Sequence, residues 1–328
     1  MKRAFVTGVE GQDGSYLAEL LLEKRYEVHG LVYRENRSNI PNLGHLVGNR
    51  DIYPKRLFLY FADLDDADSV RGPLEKSAPA EVYHLASQSH VGQSFDKVEE
   101  TCRITALGTL RLLEMVRRLP NPPRFFHASS SEIFGNADQA PQDETTPVAP
   151  VTPYGCAKAF GTQMVQVYRK TFGMFAVNGI CYNHESPRRG LNFVTRKICH
   201  ATAAIKAGRQ RELILGDLGA QRDWGHARDY VRGMWLTLQQ GEPEDFVFAT
   251  GRLHRVQDVV RIAFETAGLD WHQCVRQERQ LFRPAEPCQA VGNAAKAKRL
   301  LHWQPEITFE QTIAEMTRAE ITALNTTG

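Results

Sequence analysis

Short apolar runs and longer stretches with apolar residues at helical spacing take turns along the first half of the chain. RAFVTG, near the N-terminus, reads as a buried parallel strand. SYLAELLLEKRY then spaces its leucines along one face of a helix, and EVHGLVY is a second strand. Strand, helix, strand is a βαβ unit. The alternation continues with a strand at RLFLYFADL, a helix over residues 67–76, a strand at AEVYHLAS and a long amphipathic helix ending near residue 118. RFFHASS supplies the next strand and TPYGCAKAFGTQMVQVYRKTFG the next helix. This order predicts an α/β fold with a doubly wound parallel sheet. Beyond residue 183 the texture changes to arginine-rich loops and helices, VTRKICHATAAIKAG and QTIAEMTRAEITAL being the clearest. A smaller, mostly helical lobe is expected there, closing over the carboxyl edge of the sheet. The expected division puts residues 1–182, with about 221–249, in the sheet domain, and 183–220 with 250–328 in the lobe. NIPNLGHLVGNRD and QAPQDETTPVAPVTP, rich in Pro, Gly and Asn, are expected as loops on the ligand side.

Composition narrows the function classes. At 328 residues and 42% hydrophobic, the chain has ample material for a packed core. Forty Lys and Arg against 38 Asp and Glu leave a net charge of +2, which lacks the basic footprint of a nucleic-acid binder. MKRAFVTG is too short for a signal h-region and no apolar run approaches membrane-spanning length, so a cytoplasmic, membrane-free protein is expected. The six cysteines (Cys102, Cys156, Cys181, Cys199, Cys274, Cys288) show no CxxC spacing, and His84, His127 and His226 lack ligand spacing. Reduced thiols and hydrogen-bonded core histidines are expected, with no metal. Trp224, Trp235 and Trp303 are expected in the core.

The candidate chemistry begins at TGVEGQDGSYL, where Gly8, Gly11 and Gly14 stand between the first strand and first helix. Missing side chains there let backbone amides and a helix N-terminus meet a pyrophosphate, as in dinucleotide sites. About twenty residues on, where an acidic residue would hold an NAD ribose, the second strand ends in Tyr33 and Arg34. Arg34 suits the extra phosphate of NADP, although Glu35 beside it would repel one. Asp63 is expected either as an adenine contact or as the cap of the next helix. Further along, Tyr154 and Lys158 stand four apart on one helix and so share a face. An adjacent ammonium and a nicotinamide cation would stabilise the phenolate and make Tyr154 a base, and Lys158 would reach the nicotinamide ribose. The strand end FFHASSSEIFG carries Ser130, placed to hydrogen-bond the substrate oxygen that Tyr154 deprotonates.

GxxGxxG, HLAS, SSSE and YxxxK together resemble the motifs of extended short-chain dehydrogenase/reductases. More narrowly, GQDGSYLAELLLEK, QSHVG, NHESPRRG, FVTRKI, RDWGHARDYV, ATG, RPAE and KAKRLLHWQP resemble GDP-mannose 4,6-dehydratases over nearly the full length. The resemblance implies a Rossmann-like fold, NADP rather than NAD, and a GDP-sugar converted to its 4-keto-6-deoxy form. It gives Glu132 the task of removing the carbon-5 proton and assisting loss of water from carbon 6. It places Gln12, Asp13, Leu64, Leu85 and Arg189 at the cofactor. Ser89, Asn183, Val194, Lys197, Leu215, Gly216, Arg222, Arg283 and Glu286 fall at the GDP-sugar, with His90 beside Ser89. Arg188 and Arg189 are alternatively surface ion pairs or, as in tetrameric members, contacts to another subunit; a homodimer or homotetramer is implied. Ser130 stands where the family has Thr, which keeps the hydroxyl, loses a methyl and leaves room for a related sugar such as a heptose. The alternative function is an NADPH-dependent reductase or epimerase acting on a GDP-4-keto-6-deoxy sugar, which cofactor balance distinguishes. A non-catalytic NADP-binding regulator would be expected to lack Tyr154 or Lys158, and both are present.

Overall fold

The computed structural model describes residues 1–281 and 290–326. The chain first lays down β1 (Arg3–Thr7), β2 (Glu27–Tyr33), β3 (Leu57–Ala62), β4 (Glu81–His84), β5 (Arg124–Ser130) and β6 (Ala176–Cys181). The helices α1 (Gln12–Glu23), α2 (Gly44–Val47), α3 (Ala67–Ser77), α4 (Val98–Thr101), α5 (Gly108–Arg117) and α6 (Pro153–Phe172) lie between them. Then come β7 (Asn183–Glu185), β8 (Leu213–Leu215), β9 (Gln221–His226), β10 (Phe246–Phe248), β11 (Leu253–Arg255) and β12 (Val275–Gln277). The accompanying helices are α7 (Val194–Lys206), α8 (Ala227–Thr237), α9 (Val256–Ala267), α10 (Ala295–Leu301) and α11 (Phe309–Thr326).

Seven strands join in one parallel sheet in the order β10-β6-β5-β4-β1-β2-β3. A parallel sheet needs helices on both faces, so its inner strands are apolar without alternation. Every residue of β4 and β6 is buried, as that rule requires. One face packs Leu17 and Leu21 of α1 against Tyr230 and Met234 of α8. The other packs Leu112, Val116, Val165 and Tyr168 of α5 and α6. Strand order reverses between β1 and β4, and at such a switch point the connections diverge and open a crevice at the carboxyl ends.

The long helix foreseen up to residue 118 is α4, a π-helical turn over Cys102–Leu107, and α5. The second core gathers Ile198, Leu213, Trp224, Val260, Phe264, Phe309, Ile313 and Met316 around α7, α9 and α11. It also carries two small sheets, β11-β9-β7 and β12-β8, so this part is less exclusively helical than its sequence texture suggested. Its strands are only three to six residues long, too brief for a periodicity to be read. The chain also returns to the large sheet later than the expected boundaries. Ala297, Leu301 and Trp303 pack in the same cluster as Tyr230 and Phe248, with the Trp303 indole donating to the Asp229 carbonyl at 2.7 Å. Trp224 and Trp303 are core residues as foreseen, whereas Trp235 is only partly buried, under the Lys24 ammonium. No helix among the described residues is long and apolar enough to cross a membrane.

Candidate active site

Thr7 ends β1, and Gly8 follows with φ +69°, a left-handed conformation that glycine adopts without strain. A Cβ on Gly8 would come within 3.0 Å of the Ala86 backbone. One on Gly14 would sit 2.6 Å from the Val9 Cα and closer still to the Gly8 carbonyl. These absent side chains leave main chain on the wall of a cleft of about 940 Å³. The cleft runs over the carboxyl ends of the strands, and Gly8, Gly11, Gln12, Asp13, Gly14, Asp63, Leu64 and Leu85 all line it. Main chain beside a helix N-terminus fits a diphosphate, so this end suits a dinucleotide.

Two histidines hold this end, one buried among hydroxyls and one part-buried against a carboxylate. The Thr7 hydroxyl accepts from the Leu85 and Ala86 amides, both at 3.1 Å, so its own proton goes to His84 Nδ1 at 2.9 Å. The Thr109 hydroxyl gives its proton to the Thr105 carbonyl and accepts from His84 Nε2 at 3.0 Å. His84 is therefore neutral, and burial pulls it down to about 3. His184 on β7 faces acceptors at both nitrogens: the Tyr182 carbonyl at 2.7 Å and the Asp13 carboxylate at 2.8 Å. Burial works against its charge, but Asp13 outweighs burial and raises it. Burial likewise opposes the Asp13 charge, and the His184 cation still carries that carboxyl below its ordinary value. Gln12 adds a bond to the His184 carbonyl at 3.0 Å and accepts from Ser186 at 2.8 Å, tying the glycine turn to the segment after β6.

The catalytic candidates converge at the ends of β5 and α6. Of the strand-end hydroxyls, Ser129 bonds Thr162 of α6 at 2.6 Å and fastens strand to helix. Ser130 accepts from the Glu132 amide at 3.2 Å and stands beside the Tyr154 phenol, which it draws down. Thr152 caps α6, accepting from the Gly155 amide at 2.9 Å, and Pro153 occupies the first helical position. This start fixes the phase of the helix, so Tyr154 and Lys158 both face the cleft with Ser130 and Glu132. Lys158 Nζ donates to the Ala128 carbonyl at 2.7 Å and lies 5.8 Å from the Tyr154 ring centre. Burial lowers Lys158 to about 8. Burial raises the Tyr154 phenol, and the Glu132 charge adds to that, while the Ser130 bond and the Arg189 charge draw it back. The positive groups drawing Tyr154 towards phenolate thus include Arg189, a contribution the YxxxK spacing does not reveal.

Ser89, Asn183, Val194, Lys197, Leu215, Gly216 and Arg222 line the same cleft, from segments far apart in sequence. Register brings Asn183 opposite Trp224 on β9, two residues from Arg222, and Lys197 Nζ donates to the Ile214 carbonyl of β8 at 3.3 Å. The buried Asp223 carboxylate holds β9 in place by accepting from the Thr250, Gly251 and Gly292 amides at 2.9, 2.9 and 3.2 Å. Arg188 stacks 3.9 Å over Tyr16 and pairs with Glu19 at 2.5 Å. Arg189 stacks 3.6 Å over Phe193, with Nε 3.3 Å from Glu185.

Not every expected residue joins the cleft. Arg34 is half exposed and its guanidinium pairs with Asp66 at 2.7 Å, outside the cleft lining. Asp66, not Asp63, caps α3, accepting from the Ser69 amide at 3.3 Å; Asp63 lines the cleft and accepts from the Asp65 amide at 2.9 Å. Arg283 and Glu286 lie outside the described residues. His184 was missed by sequence reasoning, as were Tyr33, Asn36, Asn39 and Asn42, which line the nucleotide end. Asn39 and Asn42 sit in the region expected as a loop, which in the structure includes α2. The five described cysteines are free, and no group of three His, Cys, Asp or Glu among the described residues is placed to hold a metal.

A family model described as GDP-mannose 4,6 dehydratase matches residues 5–316. GDP-mannose 4,6 dehydratase 1 of Arabidopsis thaliana is 46% identical over 96% of this chain and 88% of that protein. The Homo sapiens GDP-mannose 4,6 dehydratase is 43% identical over 98% and 92%. Among solved structures, a dTDP-glucose 4,6-dehydratase from Streptomyces venezuelae with NAD and TYD bound superposes with a TM-score of 0.85 at 25% identity. It covers 97% of this chain and 96% of that one. RMD from Pseudomonas aeruginosa complexed with NADPH shares the fold, with a TM-score of 0.80 at 23% identity over 98% and 100%.

Proposed function

The chain belongs to the GDP-mannose 4,6-dehydratase family, and we propose that Ser130, Glu132, Tyr154 and Lys158 carry out its reaction. The enzyme is a lyase that takes GDP-mannose to GDP-4-keto-6-deoxymannose by loss of water, with a nicotinamide cofactor. Gly8, Gly11 and Gly14, with the N-terminus of α1, are suited to the cofactor diphosphate, and Asp63 and Leu64 to its adenosine end. Lys158 holds the nicotinamide ribose, and Arg189 lies at the same end. We infer NADP, because β2 ends in Tyr33, where a carboxylate would hold the ribose 2′-hydroxyl of NAD. When bound, the cofactor supplies hydride acceptance at carbon 4 and hydride return at carbon 6.

Tyr154 takes the proton of the carbon-4 hydroxyl, with the Ser130 hydroxyl bridging phenol and sugar oxygen. The resulting ketone acidifies carbon 5, whose proton goes to the Glu132 carboxylate. The same carboxyl, now an acid, gives a proton to the carbon-6 hydroxyl as water leaves. Asn183, Val194, Lys197, Leu215, Gly216 and Arg222 hold the GDP portion, with Ser89 at the sugar; Arg283 and Glu286 are assigned there on the family motif alone. Arginine forks and a lysine charge match a diphosphate. Exposed Phe95, Val98 and Leu107 near α4, and Val167 and Phe172 on the adjoining α6, support a homodimer or homotetramer.

The observation that supports the reading is one cleft wall lined by Ser130, Glu132, Tyr154 and Lys158 together. Incubation with GDP-mannose should give a product lighter by one water with no net consumption of NADPH. Glu132→Gln should lower turnover by roughly 100- to 10,000-fold while NADPH binding persists. Stoichiometric oxidation of NADPH would instead establish a reductase.

A further inference from the structure

Four contacts close a ring around the two proton-transfer groups. Ser130 touches both Tyr154 and the Glu132 amide. Gly155 follows Tyr154, and its amide is taken by the Thr152 hydroxyl at 2.9 Å. That hydroxyl in turn lies 3.4 Å from Glu132 Oε2. Thr152 is itself buried, with 5% of its surface exposed. A hydroxyl has a single proton; because Thr152 accepts from Gly155, that proton is free to point at the Glu132 carboxylate. Main chain enforces the same closeness, since a Cβ on Gly155 would sit 2.6 Å from the Glu132 carbonyl and 3.0 Å from Thr152 Oγ1. The first turn of α6 therefore seats directly on the Glu132 backbone.

We propose that Thr152 is a positioning residue: its single hydroxyl caps the helix that carries Tyr154 and Lys158 and at the same time orients the Glu132 carboxylate towards the sugar. The proposal rests on the assignment of Glu132 as the carbon-5 base. At 3.4 Å the contact is long for O–H···O, and contacts of this kind tighten when substrate is bound. Its importance is geometric, because one atom sets the spacing between the base on the strand tip and the base on the helix. The cap explains only half of this hydroxyl's position; a cap needs an acceptor alone, whereas the Glu132 contact needs a donor.

That difference separates the two roles. Aspartate caps helices as well as threonine but has no proton to give at neutral pH and brings a second negative charge to Glu132. In Thr152→Asp NADPH affinity should hold, while turnover falls about 10-fold or more and the acid limb of its pH profile moves to higher pH. Thr152→Ser should keep the wild-type limb. Thr152→Val, which loses cap and donor together, should melt earlier and also show the shifted limb. Wild-type turnover and pH profile in T152D would overturn the proposal and leave Thr152 as a cap only. Should T152D fail to fold, identical limbs in T152S and T152V would overturn it equally. Glu132→Gln run alongside distinguishes the premise: full turnover in that variant removes Glu132 from the chemistry, whereas a dead E132Q beside an unshifted T152V removes only Thr152.

Discussion

Around the glycine turn the cleft wall is main chain, held so close to its neighbours that a single added methyl on Gly14 would strike Gly8 and Val9. At the other end the wall is side chain: Asn183 from β7, Val194 and Lys197 from α7, Leu215 from β8 and Arg222 from β9. The first end is one contiguous stretch of sequence closed by local bonds such as the Gly11 amide to the Gly8 carbonyl at 3.1 Å. The second is assembled from four elements spread over residues 183–222, with Asp223 as its buried tie. Backbone sites tolerate no substitution at the contact but recognise a shared chemical group, the diphosphate. Side-chain sites are adjustable one residue at a time, and on the proposed assignment this one selects the sugar nucleotide.

This contrast is broken most severely at Gly14. Gly14→Ala adds a Cβ with nowhere to go, and we expect a loss of at least about 3 kcal/mol of stability together with NADPH binding; calorimetry and a fluorescence titration measure both. Asp13→Asn comes next, because it strands the part-buried His184 without its carboxylate. The pair is partly accessible, at 22% and 11% of side-chain surface, so the cost should fall near the low end of roughly 3–5 kcal/mol. Its pH dependence has a definite sign. His184 is raised, so its contribution is complete below the ordinary histidine value and fades as pH climbs through the raised one. Asp13 is lowered, so its contribution is complete above the ordinary carboxylate value and fades in strong acid. The gap in melting temperature between wild type and D13N should therefore be widest between those two limits and narrow on either side.

On the side-chain end the effects should be smaller and confined to substrate. Lys197→Met removes one charged contact worth about 1.5–3 kcal/mol, so KM for GDP-mannose should rise about 10- to 100-fold with the melting temperature unchanged. An equal loss of NADPH binding would mean that the two ends are not separately built. The smallest expected effect is at Arg189, whose charge draws the Tyr154 phenol down. Arg189→Gln should let burial prevail and raise that phenol further, moving the ascending limb of kcat/KM to higher pH. An unmoved limb would show that Tyr154 does not feel Arg189 during turnover.

The parts of the cleft that were legible beforehand are those whose geometry is local. GxxGxxG between a strand and a helix dictates the turn, and Tyr154 and Lys158 four apart on α6 must share a face. Arg34 looked like a phosphate ligand because its place after β2 is fixed by sequence, yet its partner, Asp66, comes from the turn after β3. Asp63 was the cap foreseen, and only the actual start of α3 gave that place to Asp66. His184 gave no signal, because NHESPRRG does not announce that β7 will lie against Asp13, 171 residues away.

The order of strands and helices, the glycine turn and the Tyr–Lys face were determined by the sequence itself, since each depends on apolar spacing or residue type within a few positions. Which charges meet was decided only by the tertiary structure. His84 is held neutral between two hydroxyls, whereas the part-buried His184 is raised because it meets a carboxylate. Burial alone removes charge, burial beside an opposite charge keeps it, and the neighbour that decides is brought by packing from a distant part of the chain.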